Sequence, residues 1–475
     1  MTGPVSTDRA SDEALAELLM RWVPQQRWFA HKSSSAHLQR LERTPLDEGG
    51  VAQLVALTVR TGLGDEATST VYAVPLTVRH APDEALAGAL VGHLPDVDGA
   101  EAWVYDGPHD PTFTRALLSL VAAEEGAGSP AFGVHGTSAD GGLPVPAGAS
   151  TKVLGGEQSN TSIVVSAPQG SAEAPLIAKV FRVLSAGDNP DVVVQTALAA
   201  AGCERVPRPA GWVDGTWTDP SGATAHGHVA HLTEFLAGSQ DAWRVATAAV
   251  AAGRPFSEEA GELGAATAEV HAVLARALPT EPATPERLAA LADGLRARVA
   301  WACTAVPQLH EVAEAATARV DAVRHVTGAP DLQRVHGDYH LGQVLRSAER
   351  GWVLLDFEGE PLRPLAERSV PDLALRDVAG MLRSFDYAAS SGAASSGAGG
   401  EGAGAWAAAC CEAFLAAYAA GTGVDPREPG SAAAALLAAL ELDKALYEVV
   451  YEVRNRPDWA HIPLGAVRRL TSPPG

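Results

Sequence analysis

The sequence changes character near residue 237, and that change limits the folds open to it. Before this point, short runs with β-branched residues recur between Gly, Asp and Pro, at 51–59, 70–78, 151–154, 161–166, 176–181 and 229–235. From Ala242 onward, Ala-rich amphipathic segments cover 258–278, 285–304 and 310–325, and residues 436–454 read as one helix. Two helices interrupt the first half: one within residues 13–30, carried by Leu15, Leu18, Leu19 and Trp22 and ending near Pro24, and one over 117–123. The pattern predicts an α+β chain of two lobes, β-rich first and mainly α-helical second. Two stretches are expected to be loops: the Gly/Pro-rich passage 126–149, and 388–404, which is almost all Ala, Ser and Gly and reads as a flexible surface insertion.

At 475 residues the chain exceeds one compact core, and 47% apolar residues suffice to bury two or three. No run approaches the roughly 18 consecutive apolar residues of a membrane helix, and residues 1–12 lack the basic-then-apolar order of a secretory signal. The formal charge of −22 argues against nucleic-acid binding, which needs clustered Lys and Arg. Cys203, Cys303, Cys410 and Cys411 form no CxxC pair, and the histidines show no metal spacing. A reduced, cytoplasmic protein with no membrane or nucleic-acid partner is the expectation, and a monomer.

Chemistry concentrates in His336-Gly337-Asp338-Tyr339-His340-Leu341-Gly342-Gln343 and in Asp356, which follows the apolar run Val353-Leu354-Leu355. An aspartate in a polar loop, an amide five residues on, and a second aspartate after a strand is the spacing of a eukaryotic-like kinase fold. Asp338 is the candidate catalytic base, and Gln343 and Asp356 are candidate Mg²⁺ ligands offering hard oxygens. The bland reading makes Asp338 a turn residue, Gln343 a cap and Asp356 a strand terminator; the order and spacing together argue against it. His340 is expected to order the loop, and His336 to hold it through backbone hydrogen bonds.

The nucleotide cation is sought upstream. Lys179 sits mid-strand among apolar neighbours, where a lysine needs a partner, and ATP phosphates would provide one. The loop 154–162 precedes it, and Ser159, Asn160 and Thr161 are candidates to cover phosphates beside its backbone N–H groups; a plain hairpin turn is the alternative. Glu234 and Leu236 end the β-rich half, where a hinge contacting adenine would run.

These residues resemble the actinobacterial maltokinase family, which is similar in fold to aminoglycoside and choline phosphotransferases. The resemblance spans nearly the whole chain. It includes Gln26-Arg27-Trp28-Phe29, Glu157 to Ser162, Asn189-Pro190-Asp191, the Asp338 loop, Asp356 to Pro361, Arg376 to Tyr387 and Glu441 to Glu448. It implies ATP- and Mg²⁺-dependent phosphorylation of maltose at its anomeric hydroxyl, feeding α-glucan (glycogen-like) synthesis. It also implies a cap unit over 1–105, an intermediate unit over 106–237 completing the nucleotide lobe, and a helical lobe over 238–475 holding the sugar. Association with an enzyme interconverting trehalose and maltose is a further implication. The chain departs from the pattern at Val193, where an acidic partner for Lys179 is expected; Asp191 is the available substitute, or Lys179 is less firmly anchored. The 388–404 insertion is also longer than expected.

For the sugar, residues 436–454 carry Glu441, Lys444, Glu448 and Glu452 at three- and four-residue steps, with Tyr447 and Tyr451 four apart. Arg376 is a further candidate, as are Asp377 and Arg383, and Arg363 and Glu367 are candidates to order the metal-side loop. The alternative for each is a solvated charged face or a simple ion pair. Trp406 and Trp459 divide between core packing and sugar platforms. Competing functions are a kinase of another sugar or amino sugar such as glucosamine, a non-catalytic pseudokinase binding module, and a structural partner of glucan-synthesising enzymes.

Overall fold

The computed structural model describes residues 12–30, 35–62, 67–95, 101–139, 149–155, 159–167, 174–360, 364–396 and 402–472. The chain divides into two compact units, Met1–Thr196 with Pro207–Ala237, and Ala197–Val206 with Gly238–Gly475.

The first unit holds two sheets. One is built from β1 (Ala36–Pro45), β2 (Ala52–Thr61), β3 (Thr68–Arg79), β4 (Leu90–Pro95) and β5 (Glu101–Asp106) in the order β1-β2-β3-β5-β4. The other comprises β6 (Gly126–Gly128), β7 (Phe132–Ser138), β8 (Ser150–Val153), β9 (Asn160–Ser166), β10 (Leu176–Phe181), β12 (Pro209–Thr218) and β13 (Thr224–Glu234) in the order β6-β7-β12-β13-β10-β9-β8. Between β10 and β12 in sequence, β11 (Val183–Leu184) leaves the second sheet and pairs with Tyr72 and Val71 of β3 in the first.

The apolar run of β2 explains the layering. Ala52, Leu54 and Ala56 face a core shared with Val165, Ala178 and Leu232 of the second sheet and with α2 (Pro111–Ala123). Val55, Leu57 and Val59 face the opposite core, which α1 (Asp12–Trp22) closes with Leu15, Leu18 and Leu19. A strand buried on both faces reads as a continuous hydrophobic run rather than an alternating one. Residues 126–138 are not the expected loop. They form β6 and β7 because β7 pairs along β12, and a Cβ on Gly136 would overlap the Leu120 carbonyl of α2. Glycine there permits close helix–strand packing.

The second unit is helical around a three-stranded sheet of β14 (Gln240–Asp241), β15 (Val344–Ser347) and β16 (Gly351–Leu354). In chain order follow α4 (Ala242–Ala251), α5 (Ser257–Ala277), α6 (Pro285–Ala305), α7 (Ala313–Asp321), α8 (Leu365–Arg368), α9 (Leu375–Ser396), α10 (Ala403–Thr422), α11 (Ala432–Asn455) and α12 (His461–Thr471). The helix α3 (Pro190–Ala200) begins in the first unit and ends in the second.

Of the expected insertion at 388–404, residues 388–396 are helix, and 397–401 lie outside the described residues. α9 runs through it to Ser396 with Ala388 and Ala389 buried, and a Cβ on Gly392 would meet Val250 of α4 at 2.5 Å. Small residues here bring two helices together rather than loosen a loop. α10 is long and apolar enough to cross a membrane by length and composition, with Glu412 its one charge. It buries Ala407, Cys410, Phe414 and Tyr418 along one face, and a Cβ on Gly264 of α5 would overlap the Phe414 carbonyl, so that face packs closely on α5. All four cysteines are free.

Candidate active site

In the second unit, the loop between Gln333 and β15 is held from beneath by Asp377 at the start of α9. The buried Asp377 carboxylate accepts from the backbone N–H of His336 (2.7 Å) and Gly337 (2.9 Å) and pairs with His271 (3.1 Å). Burial pushes its pKa up, but His271 and these donors outweigh burial and keep it below the usual carboxylate range. His336 donates from Nε2 to the Leu355 carbonyl (2.7 Å), so one imidazole ties the Asp338 loop to the end of β16. Gly337 needs its left-handed φ of 83°, and Gly380 of α9 needs to lack a Cβ, which would stand 2.5 Å from the Tyr339 carbonyl.

This scaffold presents Asp338 to a cavity lined also by Glu360, Arg298, Arg376, Asp443, Lys444 and Tyr447. Lys444 donates to Asp338 Oδ1 and Glu360 Oε1, each at 3.1 Å. Arg298 and Arg376 both reach Asp443, each at 3.2 Å. Burial would raise the Asp338 pKa, but Lys444 and His340 overcome it and the group titrates below the ordinary value. Burial would lower the Lys444 pKa, yet Asp338 and Glu360 hold it above the usual lysine range. A carboxylate kept ionised at a cavity wall can accept a hydroxyl proton.

Gln343, in a short turn after the loop, donates to Asp356 Oδ2 at 3.0 Å. Asp356 has φ 63°, a left-handed conformation shared among described non-glycine residues only with Glu124. Strain of that kind persists where the surroundings enforce it, often at functional sites. Glu358 offers a carboxylate oxygen within 4.8 Å of one from Asp356. Carboxylate and amide oxygens suit Mg²⁺ better than a soft metal.

In the first unit, Lys179 on β10 donates to Asp191 Oδ2 at 3.2 Å, and Gln195 holds the other oxygen. Asp191 thus stands where Val193 offered no charge. Asn189 caps α3 by accepting from the Asp191 N–H (2.9 Å), which fixes the carboxylate toward β10.

Other expected residues lie elsewhere. Thr161 is buried and accepts from Arg182 Nε at 2.8 Å, so its hydroxyl is committed inside the unit rather than turned to phosphates. Ser159 is exposed and Asn160 half-buried at the start of β9, while Glu157 and Gln158 lie outside the described residues. The Glu234 side chain holds Arg208, and Leu236 follows half-buried after β13. His340 does not line the Asp338 cavity: its Nδ1 accepts from the Gly342 N–H (3.1 Å) and burial keeps its pKa down despite nearby Asp338. Glu441 and Glu448 also turn away. Glu448 pairs with Arg383 (2.8 Å) and Glu441 with Arg469 (3.5 Å), and burial raises the pKa of both. Arg376, Lys444 and Tyr447 are the expected sugar residues brought to the Asp338 cavity. Trp406 stacks on Phe256 and Trp459 on Tyr387, Arg363 lies outside the described residues, and Glu367 sits on α8.

Sequence reasoning passed over Glu360, Asp443 and Arg298. Glu360 lies in the quoted Asp356 to Pro361 run, which was a usable signal. Arg298 is one arginine in an Ala-rich helix, and nothing local distinguishes it.

Residues 144–435, more than half the chain, match the phosphotransferase enzyme family, and the chain belongs to it: it is a kinase. Residues 22–110 match the maltokinase N-terminal cap domain. The glucosamine kinase of Streptacidiphilus jiangxiensis is 30% identical over 329 residues, 65% of this chain and 70% of that one. The glucosamine kinase of Mycolicibacterium smegmatis is 29% identical over 333 residues, 66% of this chain and 78% of its own length. A solved glucosamine kinase in complex with glucosamine, ADP and inorganic phosphate shares the fold, with TM-score 0.64 and 24% identity over 91% of this chain and 94% of that chain.

Proposed function

We propose that this chain transfers the γ-phosphoryl group of ATP to the anomeric hydroxyl of maltose, giving maltose 1-phosphate for α-glucan synthesis. The observation that carries the choice of acceptor is the charge balance of the Asp338 cavity. Its three carboxylates, Asp338, Glu360 and Asp443, each already touch a cation from Lys444, Arg298 or Arg376. A cationic amino sugar would add positive charge with no carboxylate left unpaired among the described lining residues, whereas a neutral sugar exchanges hydrogen bonds only. The cap-domain match supports the same choice.

In this reading Asp338 accepts the hydroxyl proton as the oxygen attacks phosphorus, and ADP departs. Arg376, Lys444 and Tyr447 orient the sugar. Gln343, Asp356 and Glu358 would hold Mg²⁺, which supplies charge neutralisation on the phosphates. Lys179, anchored by Asp191, would bind nucleotide phosphates, and the backbone around Leu236 the adenine. The three-part organisation over 1–105, 106–237 and 238–475 belongs to the same proposal, as do a monomeric state and a cytoplasmic location.

The second reading is glucosamine as acceptor, favoured by the two relatives. Parallel assays with maltose, glucose, glucosamine and an aminoglycoside, reading ADP release and the phosphorus spectrum of the product, separate them. Saturable turnover of maltose to an anomeric phosphate is expected; turnover of glucosamine without turnover of maltose would overturn it.

A further inference from the structure

We propose that His228 is a positioning residue for the nucleotide: from β13 it holds the start of α3, so that the Asp191 carboxylate stays on Lys179. This role presupposes Lys179 as the cation on the ATP phosphates, and it shows how Asp191 can replace the acid absent at Val193.

Asp191 is the second residue of α3, so the place where the helix begins decides where its carboxylate points. Asn189 fixes that beginning from both sides. Its side-chain oxygen accepts from the Asp191 N–H, and its own N–H donates to His228 Nδ1, each at 2.9 Å. N–H groups at a helix start have no partner inside the helix, and here an imidazole supplies one from the sheet. β13 also lies beside β10, with His231 directly opposite Lys179. Lysine and carboxylate are therefore both referred to one strand, within the first unit.

His228 and His231 are three residues apart, and in a regular strand they would face opposite sides. Between the pairs Val213–Ala230 and Asp214–His228, β13 slips by one residue against β12, a bulge at Val229. Both imidazoles consequently reach residues 189–191, and His231 Nδ1 stands 3.7 Å from Asp191 Oδ2. With Nδ1 of His228 taken by the Asn189 N–H, the ring proton of the neutral imidazole sits on Nε2, 3.5 Å from Asp214 Oδ1. Trp212 Nε1 (3.0 Å) and Thr137 Oγ1 (3.3 Å) donate to Asp214 Oδ2 and hold that carboxylate still. Burial keeps the His228 pKa below its ordinary value against the pull of Asp214 and Asp188, with His231 adding to burial, so the Nδ1 lone pair persists.

The test measures ATP binding by calorimetry in Mg²⁺ and hydrogen exchange across residues 187–195. It compares the full chain with His228→Ala, His228→Asn, His228→Gln, Lys179→Met and the Lys179→Met/His228→Ala pair. Asn carries its amide oxygen on Cγ, where histidine carries Nδ1, whereas Gln carries its own one carbon farther out. The expected result is an ATP Kd about fivefold weaker in His228→Ala, with faster exchange, both restored in His228→Asn and neither in His228→Gln. In the Lys179→Met background, His228→Ala should weaken ATP no further. Equal behaviour of Asn and Gln, or an undiminished loss in the Lys179→Met background, overturns the role, since either would signal general damage to the sheet. Unchanged Kd and exchange in His228→Ala overturn it directly. Normal ATP binding by Lys179→Met overturns the reading of Lys179 instead, and exchange then decides the anchor by itself: faster in His228→Ala and restored in His228→Asn upholds it, and unchanged exchange overturns it.

Discussion

Asp338 is a carboxylate in a mostly enclosed wall, and two opposing effects set its protonation. Burial favours the neutral acid, and the nearby Lys444 and His340 favour the anion, which wins. Replacing Asp338 with Asn should lower kcat by roughly a thousandfold while ATP binding, followed by calorimetry, stays near the wild-type value. Lys444→Met tests the balance itself. Without Lys444 burial dominates, the Asp338 pKa rises, and the acid limb of the kcat/KM–pH profile moves to higher pH. The depressed pKa also contributes stability that is present above the ordinary aspartate value of about 3.9 and lost as pH falls through the depressed one. That contribution should vanish in Lys444→Met, seen as a flatter dependence of the unfolding midpoint on acid pH. An acid limb that does not move would show that Lys444 does not tune Asp338.

At the scale of elements, α11 shows why a correct helix gave a partly wrong site. Residues 441, 448 and 452 fall on one line of the helix, and Lys444 turns off it by about 60° at 3.6 residues per turn. The glutamate line meets arginines, with Glu448 on Arg383, Glu441 on Arg469 and Glu452 on Arg456, while Lys444 and Tyr447 meet the cavity. Apolar spacing revealed the helix, and charge spacing its polar lines, but not which neighbour each line would face. On α9 the decisive residue has no side chain. Gly380→Ala should push against the Tyr339 carbonyl, costing about 1–3 kcal/mol of stability and displacing the Asp338 loop. Urea unfolding and kcat should both fall; a variant of normal stability and turnover would mean the loop rests elsewhere. The Ala/Ser/Gly run of 388–396 was misread for a related reason. Small residues suit both a loose loop and a tight helix contact, and only α4 beside it, meeting Gly392, decides between them.

Across the molecule, the chain itself passes from one sheet of the first unit to the other at residues 181–183, three positions beyond Lys179 at Arg182. Arg182 is 1% exposed, bonds Thr161 and Asp106 (3.2 Å), and lies 4.8 Å from the Trp28 ring of the Gln26 to Phe29 motif. Asp106 ends β5 of the first sheet, and Thr161 is the second residue of β9 in the second. Arg182→Met removes the guanidinium that the half-buried Asp106 accepts from, at a cost of about 1–3 kcal/mol. The unfolding midpoint should drop, and the KM for ATP should rise more than that for the acceptor, because β10 carries Lys179. A KM change confined to the acceptor would contradict this link.

By itself, the sequence determined the class of chemistry and the broad order of structure. Asp338, Gln343 and Asp356 are close in sequence and bound to short-range geometry, so their spacing alone announced them, and β10 and the long helices followed from periodicity. The tertiary structure decided the partners. Asp191 for Lys179, Arg298 and Glu360 for the cavity, Asp377 beneath the loop and His228 beside Asn189 are all contacts between segments distant in the chain. Such contacts depend on which helix faces and sheet layers pack together, and burial rather than local pattern fixes that choice.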